Sequence, residues 1–235
     1  MTVWLASGNK HKQQELQAIF TNHTIKLPVD AGINDFDVEE TGSNFMENAL
    51  IKAKALYKIL NAASVNEEES PVLADDSGLC VDILGGRPGI YSARYYGINS
   101  WDSKGNFKVK SNPGNLPEKL SDTERNILLL EELAAIFENA EFSKETPSDK
   151  GRKCRFVCAM ALLYNPDRFY IVQETMEGEI IPSKTEIRGQ KGFGYDPIVY
   201  LPDPGCTVAE LSEDQKNQIS HRGKAGKAIA KLLCL

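Results

Sequence analysis

Two adjacent aspartates at the end of an apolar run constrain this chain more than any other stretch. In Leu73-Ala74-Asp75-Asp76-Ser77-Gly78, the run from Pro71 to Ala74 delivers two acids, then a serine and a glycine. A buried strand ending in this way can hold a cation at its tip, although Asp, Ser and Gly also build ordinary surface turns. Val72 to Ala74 and Leu79 to Leu84 are expected as strands on either side of the acids. Successive side chains of an extended segment point to opposite faces, so Asp75 and Asp76 are expected to do different jobs. One faces a ligand; the other braces the backbone or supports its neighbour.

Upstream, Thr2 to Ala6 reads as a short buried strand, and Leu16, Ile19 and Phe20 share one face of a helix starting near Lys10. The intervening Ser7-Gly8-Asn9 turns tightly into a first helical turn that carries Lys10, His11 and Lys12. Free N–H groups at a helix start, joined by cations, make an anion site; the ordinary alternative is a helix cap by Ser7 or Asn9. The GxxxxGKS/T phosphate loop is absent. Asn22 to Asp37 reads as a strand or two with turns, and the acidic Asp35-Phe36-Asp37-Val38-Glu39-Glu40 follows. Thr41-Gly42-Ser43 then leads into a helix with Asn44 and Glu47 at capping-box spacing and an apolar face of Met46, Ala49, Leu50, Ala53 and Leu60. Lys52 lies near that face, where a lysine usually snorkels to water.

Before the aspartates, Asn61 to Ser70 is a polar connection, and beyond them Gly85-Gly86-Arg87-Pro88-Gly89 is a turn cluster. Arg94 offers a planar fork suited to phosphate, though most arginines are solvated or paired. Tyr96 to Pro117 and Glu138 to Arg152 are polar without periodicity and read as loops. Between them, Ser121 and Glu124 form a capping box for a helix through Ile127, Leu130, Leu133 and Phe137. Arg155 to Tyr164 is apolar enough for a central strand; Asn165-Pro166-Asp167 turns it into Phe169 to Thr175, and Glu177 to Ile181 is expected as a further turn and strand.

Near the C-terminus, Arg188 to Pro197 packs three glycines around Lys191, Phe193, Tyr195 and Asp196. Glycines such as Gly194 let backbone approach a ligand, the two aromatics can stack on a planar ring, and Asp196 can accept from ring N–H groups. A glycine-rich turn with packed aromatics is the ordinary alternative. Ser212 and Gln215 cap a short helix bearing Lys216, which Ser220-His221-Arg222-Gly223 interrupts before a last amphipathic helix. Lys216, His221 and Arg222 thus present donors around a helix break.

Composition narrows the possibilities. With 27 Lys and Arg against 33 Asp and Glu, the net charge of -6 argues against broad binding to nucleic acid or an anionic membrane. No apolar run approaches the roughly 18 residues of a membrane span, and Met1-Thr2-Val3-Trp4-Leu5 lacks the regions of a signal peptide, so a cytoplasmic protein is expected. Five cysteines without a CxxC pair point to reduced, packed thiols. HExxH is absent, and the lone His11 and His23 read as surface residues. What remains is coherent: Glu40 and Asp76 can hold Mg²⁺, Ser7 to Lys12 with Lys52 a polyphosphate, and Phe193 to Asp196 with Lys216, His221 and Arg222 a base. The expectation is a magnesium-dependent enzyme acting on a nucleoside triphosphate.

These residues also resemble those of the inosine triphosphate pyrophosphatase family, the Ham1/RdgB-like enzymes. The matching segments are Ala6-Ser7-Gly8-Asn9 with Lys12, Glu39-Glu40-Thr41-Gly42, Glu47-Asn48-Ala49 with Lys52, Ala74 to Gly78, Pro88 to Tyr95, Gly192 to Pro197, Ala209-Glu210-Leu211 and Ile219-Ser220-His221-Arg222. They span nearly the whole chain in the family's order. The resemblance implies one α/β domain over residues 1–235, with an elongated mixed β-sheet flanked by helices and two lobes around an active-site cleft. It also implies a homodimer and hydrolysis of ITP, dITP and XTP to the monophosphate and pyrophosphate. By the same resemblance, Glu40 and Asp76 hold Mg²⁺, and Asp76 activates water. Triphosphate contacts fall on Ser7, Gly8, Asn9, Lys10, His11, Lys12 and Lys52; base and nearby contacts fall on Ser77, Phe193, Gly194, Tyr195, Asp196, Lys216, His221 and Arg222. The interval from Tyr96 to Arg155 is longer than compact members need, which places extra length in its two polar loops. Two other expectations fit part of the pattern: a related pyrophosphatase for damaged or modified pyrimidine or general nucleotides, with a changed base loop, and a nucleotide-binding regulator, which would lack Glu40 or Asp76.

Overall fold

The structure, a computed structural model, describes residues 1–63, 70–97, 120–138, 151–189 and 192–233. Its strands are β1 (Thr2–Leu5), β2 (Thr24–Lys26), β3 (Val72–Val81), β4 (Lys153–Asn165), β5 (Arg168–Ile180), β6 (Val199–Leu201) and β7 (Cys206–Thr207). The helices are α1 (Lys10–Ile19), α2 (Phe45–Ala62), α3 (Asp122–Glu138), α4 (Glu213–Ile219) and α5 (His221–Leu232). The strands form one sheet in the order β2-β1-β3-β4-β5-β6-β7. β1 pairs parallel with both β2 and β3, whereas β6 pairs antiparallel with β5 and β7, so the sheet is mixed. Parallel neighbours need a crossover, and α1 and α2 supply it, one after β1 and one before β3.

The chain divides into two compact units, Met1–Ser77 with Phe156–Met176 and Glu213–Leu235, and Gly78–Arg155 with Glu177–Ser212. In the first, Val3 and Leu5 of β1, Leu16 of α1 with Phe20 just beyond it, Leu73 of β3, Met160 and Leu162 of β4, and Ala225 and Ile229 of α5 make one apolar core. Gly226 admits α1 to α5, because a Cβ there would lie 3.1 Å from Ile19 Cδ1. In the second unit, Ser121 and Glu124 close the expected capping box: Glu124 N–H donates to Ser121 Oγ at 3.2 Å, and Ser121 N–H donates to Glu124 Oε2 at 2.8 Å. Leu129 and Leu133 of α3 are buried beneath it. Among the described residues no helix is long and apolar enough to cross a membrane.

Several local expectations change. The acidic pair does not end a strand: Val72–Val81 is continuous through Asp75, Asp76, Ser77 and Gly78, and the extended chain then tightens into a 3-10 turn at Asp82–Leu84. Burial on both faces makes this possible, since nine of the ten β3 positions are buried and only Ser77 is intermediate. Glu177 to Ile180 starts no new strand but prolongs β5. Gly178 serves that stretch by having no side chain, because a Cβ would come within 2.8 Å of the Tyr200 carbonyl oxygen. On α2, Met46 is exposed and Phe45 is buried in its place. Asn44 does cap α2, accepting from Glu47 N–H at 2.9 Å, but the Glu47 carboxylate closes on Ser43 N–H at 2.7 Å, one residue earlier than a capping box requires. Most of the expected loops between Tyr96 and Arg152, together with 64–69 and Lys191, lies outside the described residues. The described cysteines Cys80, Cys154, Cys158 and Cys206 are free thiols.

Candidate active site

Alternation along β3 separates its two aspartates. Asp75 turns to one face with Ser77, whose hydroxyl donates to Asp75 Oδ2 at 3.1 Å, as residues two apart on a strand should. On that face Lys12 Nζ lies 2.9 Å from Asp75 Oδ1, and the Arg222 guanidinium reaches Asp75 Oδ2 at 3.3 Å. Arg222 also donates to Glu15 Oε2 at 2.7 Å, and Lys216 lies 3.7 Å from the other Glu15 oxygen. Three cations and two carboxylates therefore form a chain, Lys12 to Asp75 to Arg222 to Glu15 to Lys216. Burial alone would raise the Asp75 carboxyl, but Lys12 and Arg222 outweigh it and hold the group well below the usual carboxylate range. Burial likewise opposes the charge on Arg222, and Asp75 and Glu15 reverse that effect and raise its pKa.

Asp76 turns the other way, toward α2. Lys52 Nζ lies 3.4 Å from Asp76 Oδ1 and 2.7 Å from Glu40 Oε1. Asn48, one helical turn before Lys52, donates from Nδ2 to Asp76 Oδ2 at 3.1 Å. Asp76 thus uses both oxygens toward one helix face. Burial pushes its carboxyl above the ordinary value; Lys52 lowers it, but one cation shared with nearby Glu40 does not compensate fully. Lys52, buried among acids, is raised because Asp76, Asp75 and Glu40 outweigh its own desolvation.

At the N-terminus of α1 the helix-cap alternative is realised: Asn9 Oδ1 accepts from the N–H groups of His11 at 2.9 Å and Lys12 at 3.3 Å. Ser7 Oγ accepts from Asn9 N–H at 3.1 Å. Gly8, Asn9, Lys10 and His11 are exposed, so of the expected phosphate cations in this turn Lys12 alone is tied into the acid network. His221 and Arg222 open α5 behind the cap Ser220, whose Oγ accepts from Gly223 N–H at 3.0 Å. Both side chains are buried. The His221 ring stacks on Phe156 with centroids 5.0 Å apart and planes 11° from parallel. Burial, then Arg222 and Lys216, hold this imidazole well below its ordinary pKa, and its Nδ1 is buried without a hydrogen-bond partner among the described residues.

The glycine-rich turn belongs to the second unit and is pinned by α3. Asp122 Oδ2 accepts from Gly194 N–H at 2.6 Å, and Asn126 Nδ2, one helical turn on, donates to Gly194 C=O at 3.0 Å. Asp196 folds back to accept from Phe193 N–H at 3.0 Å, and Gly192 must lack a side chain, since a Cβ would lie 2.2 Å from Asp196 Oδ2. Tyr195 is buried with its hydroxyl donating to Ser92 C=O at 3.0 Å. Of the turn's two aromatic rings, only Phe193 is exposed. Arg94, a possible phosphate contact by sequence, has its guanidinium 5.7 Å over the Tyr91 ring.

Glu15, Asn48, Phe156, Asp122 and Asn126 had no role in the sequence expectations. For Asn48 a signal existed, because it precedes Lys52 by one helical turn and so faces the same strand. Glu15 similarly follows Lys12 at i+3. Phe156 lies within an apolar run and carries no mark that distinguishes it from core.

The donor set around Asp76 fits a hard divalent cation. Two carboxylates, Glu40 and Asp76, converge on a point where the positive Lys52 ammonium sits. Among the described residues no group of three or more His, Cys, Asp and Glu side chains is gathered for a metal. A carboxylate pair suits Mg²⁺, which takes its remaining oxygens from water and substrate phosphate.

The chain is similar to known proteins over nearly its whole length. The profile of the Ham1 family matches residues 3–232. A dITP/XTP pyrophosphatase of Treponema denticola is 45% identical over 233 residues, covering 99% of this chain and 98% of that protein. Among solved structures, a HAM1 protein from Coxiella burnetii superposes with a TM-score of 0.72 at 33% identity, covering 100% of this chain and 98% of its own. The Staphylococcus aureus Ham1 protein superposes at 0.70 with 36% identity, covering 99% and 98%.

Proposed function

This chain belongs to the Ham1 family, and from that membership and the carboxylate pair facing α2 we propose a nucleoside triphosphate pyrophosphatase that hydrolyses non-standard purine nucleotides. The substrates are dITP, XTP and ITP, and the products are the nucleoside monophosphate and pyrophosphate. The observation that carries the proposal is Lys52 held between Glu40 and Asp76, a cationic position framed by two acids. Glu40 and Asp76 are the residues that hold Mg²⁺. When bound there, the ion supplies positive charge to phosphate oxygens as the leaving group develops negative charge.

The chain's own groups do the rest. Asp76, with its carboxyl raised by burial, orients a water and takes its proton. The water oxygen bonds to the α-phosphorus, the α,β phosphoanhydride bond breaks, and pyrophosphate leaves with the bonding pair. Lys52 and Lys12 place fixed positive charge near the triphosphate. Arg222, oriented by Asp75 and Glu15, and Lys216 offer donors to a 6-oxo purine, and neutral His221 faces the base with a ring fixed by Phe156. In the second unit, Phe193 is the exposed ring of the glycine-rich turn. A homodimer and a cytoplasmic location complete the proposal.

The test is phosphate release from a panel of dITP, XTP, ITP, dATP, dGTP and a modified pyrimidine triphosphate, with and without Mg²⁺. Pyrophosphate from dITP, XTP and ITP, only with Mg²⁺ and in preference to dATP and dGTP, is expected. Orthophosphate would place the cut at another bond, preference for the pyrimidine would favour the related pyrimidine enzyme, and binding without turnover would favour a regulator.

A further inference from the structure

Asn48 joins the two chain segments that carry the acids. Its side chain is fully buried on α2. Nδ2 donates to Asp76 Oδ2 on β3 at 3.1 Å, while Oδ1 accepts from Gly42 N–H at 2.8 Å, two residues after Glu40. One amide therefore spans from the Glu40 segment to the Asp76 strand and uses a different end on each. The fit to Gly42 is close: a Cβ at that position would stand 2.6 Å from Asn48 Oδ1 and 2.9 Å from its backbone nitrogen. Neither segment can shift without stretching a hydrogen bond to the buried Asn48 amide, the one to Asp76 buried and the one to Gly42 partly so.

Residue type follows from this double task. Aspartate would have no donor for Asp76 and would add a third negative charge beside it. Leucine matches the size but strands both the Gly42 N–H and an oxygen of Asp76. Glutamine keeps both groups on an arm one methylene longer. Asparagine alone among these supplies one donor and one acceptor at the observed length.

We propose that Asn48 is a positioning residue for the divalent-cation site, setting the separation and orientation of Glu40 and Asp76. This role rests on the assignment of those two acids to the cation. Lys52, one turn further along α2, touches both acids directly, so α2 presents a neutral tie and a cation to the same pair. Partners that orient metal-binding carboxylates change affinity when removed, typically by about 10- to 100-fold.

The experiment measures Mn²⁺ binding to the full chain without nucleotide, by the electron paramagnetic resonance signal of free Mn²⁺. Wild type, Asn48→Leu, Asn48→Gln and Asp76→Asn are compared, each first checked by circular dichroism and thermal melting. The expected result is binding by wild type, severe loss in Asp76→Asn, and weakening of about tenfold or more in Asn48→Leu measured well below its melting temperature. Asn48→Gln is expected to fold and bind Mn²⁺ between those limits, which keeps the test decisive should Asn48→Leu fail to fold. A purely structural asparagine would lower the melting temperature of the variants and leave Mn²⁺ affinity unchanged; that outcome overturns the positioning role alone. Wild type that binds no Mn²⁺, or Asp76→Asn that binds as tightly as wild type, overturns the cation assignment and this role with it.

Discussion

Asp75 and Asp76 are neighbours on β3 that face opposite sides of the strand, and each meets cations of a different helix. Asp75 lies between Lys12 of α1 and Arg222 of α5, and Asp76 lies against Lys52 of α2. Their electrostatics diverge accordingly, one carboxyl driven below its ordinary range and the other above it. Carboxylates whose environments push them apart are suited to different tasks. Here the lowered one anchors an ionic network and the raised one is placed to take a proton.

Asp76→Asn should reduce kcat for dITP on the order of 10³-fold, since it removes both a proton acceptor and a cation ligand. Stability should change little or rise slightly, because burial already disfavours the ionised form. Steady-state kinetics alongside a thermal melt reads both. A near-normal rate in a folded variant would remove Asp76 from the chemistry.

Asp75→Asn should behave in the reverse order. Its carboxylate is fully buried between Lys12 and Arg222, and losing it leaves those charges without their shared anion. A loss of about 3 kcal/mol or more in urea unfolding is expected. If Asp75→Asn were as stable as wild type, the network would contribute nothing net to the fold.

Acid should weaken the protein through His221. The folded chain holds His221 neutral with a pKa well below 6.5, whereas the unfolded chain binds a proton near 6.5. Its contribution is therefore complete above that pH and declines as pH falls beneath it, by at most about 1.4 kcal/mol per unit. Asp75 does not enter this window, because its contribution persists above its unfolded value of 3.8. Urea midpoints at pH 7.5, 6.5 and 5.5 should fall for wild type and flatten for His221→Gln. The same decline in both would trace the effect to another group, such as His23, which is lowered in the same direction.

Selectivity should follow the 6-oxo edge of the base. A site that donates to an oxo group leaves its donors opposed by an adenine amino group, and such mismatches discriminate by roughly 10⁴-fold. The ratio of kcat/KM for dITP over dATP reads this directly. A ratio near one would remove Arg222 and Lys216 as the source of base choice.

What neighbouring residues dictate was legible along the chain. Apolar spacing located α1, α2, α3 and the long strand β4, and the Ser121 and Glu124 pair marked where α3 begins. Alternation alone separated Asp75 from Asp76, because the strand period depends only on the backbone. Strand continuity was not legible in this way. Polar residues at Asp75, Asp76 and Ser77 read as a tip, yet partners from α1, α2 and α5 satisfy them and let β3 run through. Those partners come from far along the chain: Lys12 is 63 residues from Asp75, and Arg222 is 147. Contacts of that separation depend on which strands pair and which helices cross them, and local propensity carries no record of either. For the same reason Asn48 passed as part of a helix until the fold brought Gly42 and Asp76 to its two ends. Chain chemistry nominated the acids; long-range packing decided which cation each one meets.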